Sequence, residues 1–128
     1  MHKPPLILIV DDDRQLVDLF SAKLTASGFA ASKAYDGKEG YELAKKEKPD
    51  LILLDLRMPV MNGVETLAKL KEDPLTKDIK VIILSVFNDW SKMKMDPITA
   101  KAIGAKDFIE KDVDLDDLVG RLRSELTR

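Results

Sequence analysis

One stretch indicates how the whole chain folds: Leu51-Ile52-Leu53-Leu54-Asp55-Leu56-Arg57-Met58-Pro59. Its four leading apolar residues are too few for a helix and follow Pro49, so they predict a strand buried on both faces at the centre of a parallel sheet. Asp55 ends this strand, at the edge where open α/β sheets bind ligands. We expect a rigid loop from Pro59 to Gly63, with φ locked at the proline and positive at the glycine.

Size and composition predict one globular domain over residues 1–128, with a flexible N-terminus at 1–5. The net charge of −2 gives no general attraction for nucleic acid or anionic membranes. The absence of cysteine excludes disulfides, thiolate chemistry and cysteine-based zinc sites. The apolar run at 6–10 is too short for a signal peptide or membrane span, so we expect a cytoplasmic protein.

Apolar runs and chain breakers predict five strands that alternate with helices. The strands are expected at 6–10, 30–35, 51–54, 81–84 and 106–110. The helices are expected from 16 to the stop at Gly28, from the Asp36 and Glu39 capping box to about 48, at 64–70, before Gly104, and at 112–128. The inward residues of the first helix are expected to be Leu16, Val17, Leu19, Phe20 and Leu24, and those of the last are Leu115, Leu118, Val119, Leu122 and Leu126.

This alternation predicts a parallel sheet with helices on both faces. The carboxyl ends of strands one, three, four and five carry Asp11 and Asp12, Asp55, Ser85, and Lys111. Clustered carboxylates repel one another and are commonly relieved by a divalent cation, for which Mg²⁺ is the natural candidate. Asp12, Asp55 and the backbone carbonyl of Arg57 would bind it.

A lysine and a hydroxyl beside such a metal are suited to an anion, with Lys111 supplying charge and Ser85 a hydrogen bond. We interpret the anion as a phosphoryl group, and a carboxylate can be its nucleophile, forming an acyl phosphate. Each of these residues also has a purely structural interpretation. The three aspartates at 11–13 could cap the next helix, and Lys111 and Ser85 could be ordinary surface residues. We assign Asp13 to capping.

The chain resembles the response-regulator receiver domains of two-component signalling over essentially its whole length. The segment 55-DLRMPVMNG-63 is similar to the family pattern D-x-x-M-P-x-M-(D/N)-G, and the aspartate pair, Ser85 and Lys111 occupy the other signature positions. The resemblance implies a flavodoxin-like, doubly wound five-stranded sheet in the order 2-1-3-4-5. It also implies that Asp55 accepts a phosphoryl group from a sensor histidine kinase or phosphotransfer protein.

In the family's terms, Asp12 would bind Mg²⁺ directly and Asp11 through water. Ser85 and Phe108 resemble the switch pair that relays phosphorylation to the face formed by the fourth helix, fifth strand and fifth helix. Such a domain catalyses only its own phosphorylation and dephosphorylation and is otherwise no enzyme. The output protein, the oligomeric state and any larger parent chain stay open.

Several departures from the family pattern stand out. Asp112 follows Lys111 where the family has a proline in a cis bond, and Val86 follows Ser85 where a small residue is usual. Trp90 to Pro97 resembles an insertion of about four residues, for which we expect a partner-specific role. Phe87 stands where a polar side chain can orient the attacking water, so we expect slow self-dephosphorylation.

Two other functions fit part of this sequence pattern. A haloacid-dehalogenase-like phosphatase also uses a strand-end aspartate with Mg²⁺, but it requires a second aspartate where this chain has Arg57. A receiver-like interaction module that works without phosphate is the stronger alternative, given Val86 and Asp112.

Overall fold

The computed structural model describes residues 1–56, 58, 61–86, 101 and 104–127. Its strands are β1 Leu6–Val10, β2 Ala30–Ala34, β3 Leu51–Asp55, β4 Lys80–Ser85 and β5 Asp107–Glu110. Its described helices are α1 Arg14–Ala26, α2 Gly37–Glu47, α3 Gly63–Glu72 and the C-terminal helix Leu115–Leu126. Outside the described residues lie Arg57, Pro59, Phe87, Trp90 to Pro97 and most of the helix expected before Gly104.

All five strands are parallel and lie in the order β2-β1-β3-β4-β5, which confirms the expected doubly wound sheet. β3 is the central strand, and each of its residues is buried. Because both faces of a central parallel strand are covered, a continuous apolar run is the sequence that such a position requires.

Alternate residues of the strands enter two hydrophobic cores, one on each face of the sheet. Leu51 and Leu53 pack in the core formed with α1 and the C-terminal helix, whereas Ile52 and Leu54 pack in the core formed with α2 and α3. Leu19 is 54% exposed, so the expectation that it faces inward was wrong. The helical face that packs on the sheet is narrower than the sequence pattern indicated.

The helix ends follow local chemistry. Asp13, Asp36, Asn62 and Asp114 each precede a helix and accept a hydrogen bond from a backbone N–H of its first turn. The last helix therefore begins at Leu115 rather than at the expected Asp112. Gly28 follows α1 with a φ of +94°, as expected of a helix stop.

The first residues of the chain contact the end of α2. The Asp50 carboxylate accepts hydrogen bonds from the backbone N–H groups of Leu6 and His2, and the His2 ring lies 3.1 Å from the carbonyls of Glu47 and Lys48. The flexibility expected for residues 1–5 stays a prediction. No helix in the described ranges has the length and apolar character needed to cross a bilayer.

Gly63 has a different role from the one expected. Its φ is not positive; positive-φ glycines among the described residues are Gly28 and Gly104. Instead, a Cβ atom at Gly63 would lie 2.2 Å from the Asp55 carbonyl oxygen and 2.7 Å from Leu56 Cα. The absence of a side chain thus allows α3 to begin against the end of β3.

Gly63→Ala should destabilise the domain by about 1–3 kcal/mol, because the methyl group would meet rigid backbone. The matched control is Gly120→Ala in the C-terminal helix, where a Cβ meets nothing within 4 Å. That change should stabilise the domain by roughly 0.5–1 kcal/mol through helix propensity. Urea unfolding of both variants checks the opposite signs, and equal effects would contradict the close approach at Gly63.

Candidate functional site

The candidate site lies where β1 and β3 meet at the carboxyl edge of the sheet. This is a topological switch point, because β1 connects outward to β2 while β3 connects toward β4. Asp11 directly follows β1, Asp55 ends β3, Ser85 ends β4 and Lys111 directly follows β5. The residues predicted from four strand ends therefore share one edge.

The three expected acids form a tight cluster. Asp11, Asp12 and Asp55 each offer an oxygen, and these oxygens all lie within 4.8 Å of one another. Asp11 and Asp55 are 0% and 1% exposed, whereas Asp12 is exposed to solvent. Two carboxylates thus lie inside the protein, and the third lies beside them at the surface.

Lys111 brings a positive charge between the two buried acids. Its Nζ lies 2.8 Å from Asp11 Oδ2 and 2.8 Å from Asp55 Oδ1. Within the described residues the cis peptide bond is Lys3-Pro4, so the Lys111-Asp112 bond is trans. The missing proline therefore does not prevent Lys111 from reaching the acids.

Burial and the contacts between Lys111 and the acids shift the pKa values of these groups in opposite directions. Burial raises the pKa of Asp11, although the hydrogen bonds from Lys111 and from the Asp13 N–H act to lower it. Burial alone would lower the pKa of Lys111, but its bonds to Asp11 and Asp55 raise it above the ordinary value. Lys111 is therefore held as a cation, while the charge of Asp11 is only partly compensated.

The backbone around Asp11 holds its carboxylate in place. The Asp13 N–H donates to Asp11 Oδ1 at 2.9 Å, and the Asp11 N–H donates to the Ala34 carbonyl at 3.1 Å. Asp13 itself caps α1 by accepting from the Leu16 N–H at 3.2 Å, as predicted. The three adjacent aspartates thus have separate environments.

Ser85 and Phe108 lie on the strands next to this cluster. Ser85 is fully buried, and its hydroxyl has no hydrogen-bond partner within the described part of the chain. The Ser85 carbonyl accepts from the Lys111 N–H at 2.8 Å, which ties the ends of β4 and β5 together. Phe108 is half-buried in β5, beside Ile83 of β4, and Val86 is 44% exposed.

The structure also changes the role of Gly63 and shows an ion pair near the site that the sequence did not indicate. Gly63 borders the Asp55 carbonyl, and an ion pair between Asp107 and Arg121 surrounds the backbone of Phe108. The loop motif contained a signal for Gly63, but it was read as a turn conformation. The ion pair joins residues 14 positions apart on different elements. Neither the spacing of apolar residues nor a sequence motif indicates such a contact.

Comparisons with known proteins agree with this architecture. The response regulator receiver domain family matches residues 7–123. The DNA-binding dual master transcriptional regulator RpaA of Synechocystis is 36% identical over 97% of this chain and 50% of its own length. The chain spans about half or less of the curated relatives it matches.

Solved structures are similar over nearly the whole chain. A putative response regulator from Chloroflexus aurantiacus has a TM-score of 0.87 and 28% identity, covering 98% of this chain and 100% of that one. Chemotaxis protein CheY4 of Vibrio cholerae has a TM-score of 0.82 and 27% identity, covering 94% of this chain and 97% of that one.

The fold is a doubly wound parallel α/β domain with a cluster of acids at its switch point. The chain belongs to the response regulator receiver domain family. The sequence resemblance to that family is thereby confirmed.

Asp11→Asn should stabilise the metal-free domain at pH 7, with a Tm increase of roughly 2–5 °C, the range that about 1 kcal/mol produces at this size. The raised folded-state pKa of Asp11 means that the folded state binds more protons above the ordinary value of 3.8. Wild-type stability is therefore lost relative to the variant as pH rises through that folded-state pKa.

Thermal unfolding from pH 3 to 8 checks this sign. The gain of Asp11→Asn should vanish at the acid end, where the wild-type carboxyl is also neutral. Asp12→Asn is the matched control, and its gain should be smaller because Asp12 is exposed. A destabilised Asp11→Asn at pH 7 would contradict the conclusion that the charge of Asp11 is only partly compensated.

Proposed function

We propose that this domain is a phosphoacceptor switch in which Asp55 takes a phosphoryl group from a sensor histidine kinase or phosphotransfer protein. The observation that carries the proposal is the position of Lys111, whose Nζ bridges the buried carboxylates of Asp11 and Asp55. A lysine held as a cation beside a strand-end carboxylate is suited to a doubly charged phosphoryl group.

The proposed transfer uses Asp55 as the nucleophile. A carboxylate oxygen of Asp55 forms a bond to phosphorus while the phosphorus–nitrogen bond of a phosphohistidine breaks. The electron pair of the broken bond stays on the histidine ring, and the product on Asp55 is an acyl phosphate. Before the transfer, Asp11 binds Lys111 from the other side.

The donor set fits Mg²⁺. Asp11, Asp12 and Asp55 each offer a carboxylate oxygen within 4.8 Å of the others, and Mg²⁺ prefers such hard oxygen ligands. Asp12, Asp55 and the carbonyl of Arg57 would hold the ion directly, and Asp11 would hold it through water. When bound, the ion would neutralise charge on the transferred oxygens.

Ser85 and Phe108 are proposed to transmit the change. The buried Ser85 hydroxyl has a hydrogen bond to donate and lies at the same sheet edge as Asp55. Movement of this hydroxyl toward a phosphoryl oxygen would open space for the ring of Phe108 and alter the face that includes β5 and the C-terminal helix. We propose that an output protein reads this face and that the switch acts in the cytoplasm.

The direct test treats the chain with acetyl phosphate and Mg²⁺ and measures its intact mass. Wild type should gain one phosphoryl group, and Asp55→Asn should gain none. Lys111→Met should be modified much more slowly, because it loses the cation beside Asp55. A wild-type chain that keeps its mass would instead support an interaction module that works without phosphate.

Phe87 provides a prediction about the lifetime of the signal. A phenyl ring cannot orient the water that attacks an acyl phosphate, so phospho-Asp55 should persist well beyond seconds at 25 °C. Phe87→Glu should shorten the half-life several-fold, and Phe87→Leu should leave it unchanged. Mass spectrometry after removal of the phosphodonor measures the decay, and a wild-type half-life of seconds would refute the idea.

A further inference from the structure

An ion pair at the open side of β5 holds both backbone groups of Phe108. The Phe108 N–H donates to Asp107 Oδ1 at 2.8 Å, and the Phe108 carbonyl accepts from Arg121 Nη2 at 3.0 Å. Arg121 Nη2 also lies 2.7 Å from Asp107 Oδ2. In the described part of the chain β5 is the edge strand of the sheet, and the ion pair contacts backbone groups on its open side.

This arrangement, the Asp107–Arg121 clamp, links two parts of the proposed switch. Arg121 belongs to the C-terminal helix, whereas Phe108 lies on β5, three residues before Lys111, which directly follows that strand. Lys111 reaches the acidic pocket through its side chain and β4 through its N–H. The clamp therefore fastens the C-terminal helix to the strand that leads into the pocket lysine.

The clamp is weak enough to open. The side chains of Arg121 and Asp107 are 40% and 36% exposed, and exposed ion pairs typically contribute well under the energy of a buried contact. Burial acts to raise the pKa of Asp107, but Arg121 and the Phe108 N–H more than offset it and leave that pKa lowered. Asp107 is thus held in its charged form, paired with Arg121.

We propose that the Asp107–Arg121 clamp holds β5 in the arrangement in which Lys111 pairs with Asp11 and Asp55, and so restrains phosphorylation of Asp55. This inference rests on the proposed function. A phosphoryl group would draw Lys111 away from the two carboxylates, and the end of β5 would have to follow. Asp107 and Arg121 act here as positioning residues, because they reach the pocket only through the strand.

Phosphorylation rates measure the restraint. Arg121→Gln should be phosphorylated by acetyl phosphate about two to five times faster than wild type at saturating Mg²⁺, the range open to an exposed ion pair. Arg121→Lys should stay near the wild-type rate, because its ammonium can keep a bond to Asp107. Adding Asp107→Asn to Arg121→Gln should give no further acceleration, because the clamp is already open.

The matched control is Lys33→Gln. Lys33 pairs with Asp18 at 2.8 Å, its side chain is 39% exposed, and it lies on β2 at the far edge of the sheet. Like Arg121→Gln, the Lys33→Gln variant removes one positive charge from an exposed ion pair. Any general effect of lost positive charge on the reaction with acetyl phosphate should therefore be the same in both variants. The rate of Lys33→Gln should equal that of wild type, whatever its effect on urea unfolding.

Three results would overturn the proposal. Arg121→Gln could react no faster than wild type, or Lys33→Gln could be accelerated equally. Either result would contradict the clamp proposal and leave the proposed function intact. A wild-type chain that takes no phosphoryl group would sink the proposed function together with the clamp.

Discussion

The Lys111 ammonium lies 2.8 Å from carboxylate oxygens of both Asp11 and Asp55. This contact depends on the sheet, which brings residues from three strand ends together. Two carboxylates removed from water repel each other and lose hydration, so they need a nearby cation. The parallel sheet meets this need by ending β1, β3 and β5 at one edge. The same arrangement gives the site its chemistry, because a buried, partly compensated anion favours the arrival of further positive charge.

The two hydrophobic cores support this edge from below. Residues of β3 alternate between the cores, so the strand cannot shift by one position without moving Leu51 and Leu53 to the wrong face. Asp55 is thereby fixed at the end of the most constrained strand. Gly63 adds a second constraint, since α3 begins directly against the Asp55 carbonyl.

The sequence was most informative where one cause acts alone. A buried parallel strand needs only apolar residues, so β1 and β3 were predicted nearly to the residue, and the strand-end acids followed from the topology. Leu19 was misplaced because periodicity indicates a helical face without showing how wide the contact is. Gly63 was misread because a positive φ and a close approach both select glycine.

Other features depend on distances that a sequence does not encode. The effect of Asp112 on Lys111 was open because it depends on the path of the backbone, and the trans bond still lets Nζ reach both acids. The contact of Arg121 with Asp107 depends on where the C-terminal helix settles on β5. Long-range polar contacts of this kind become visible only once the packing is known.

The incompletely compensated charge of Asp11 also affects how mutations change the stability of this protein. Natural domains tolerate destabilising groups where activity needs them, and neutralising those groups is a common route to greater robustness. A screen that selects only for heat resistance would therefore tend to collect changes among the acids at this edge. The variants that survive would be more stable proteins that had lost the acidic cluster.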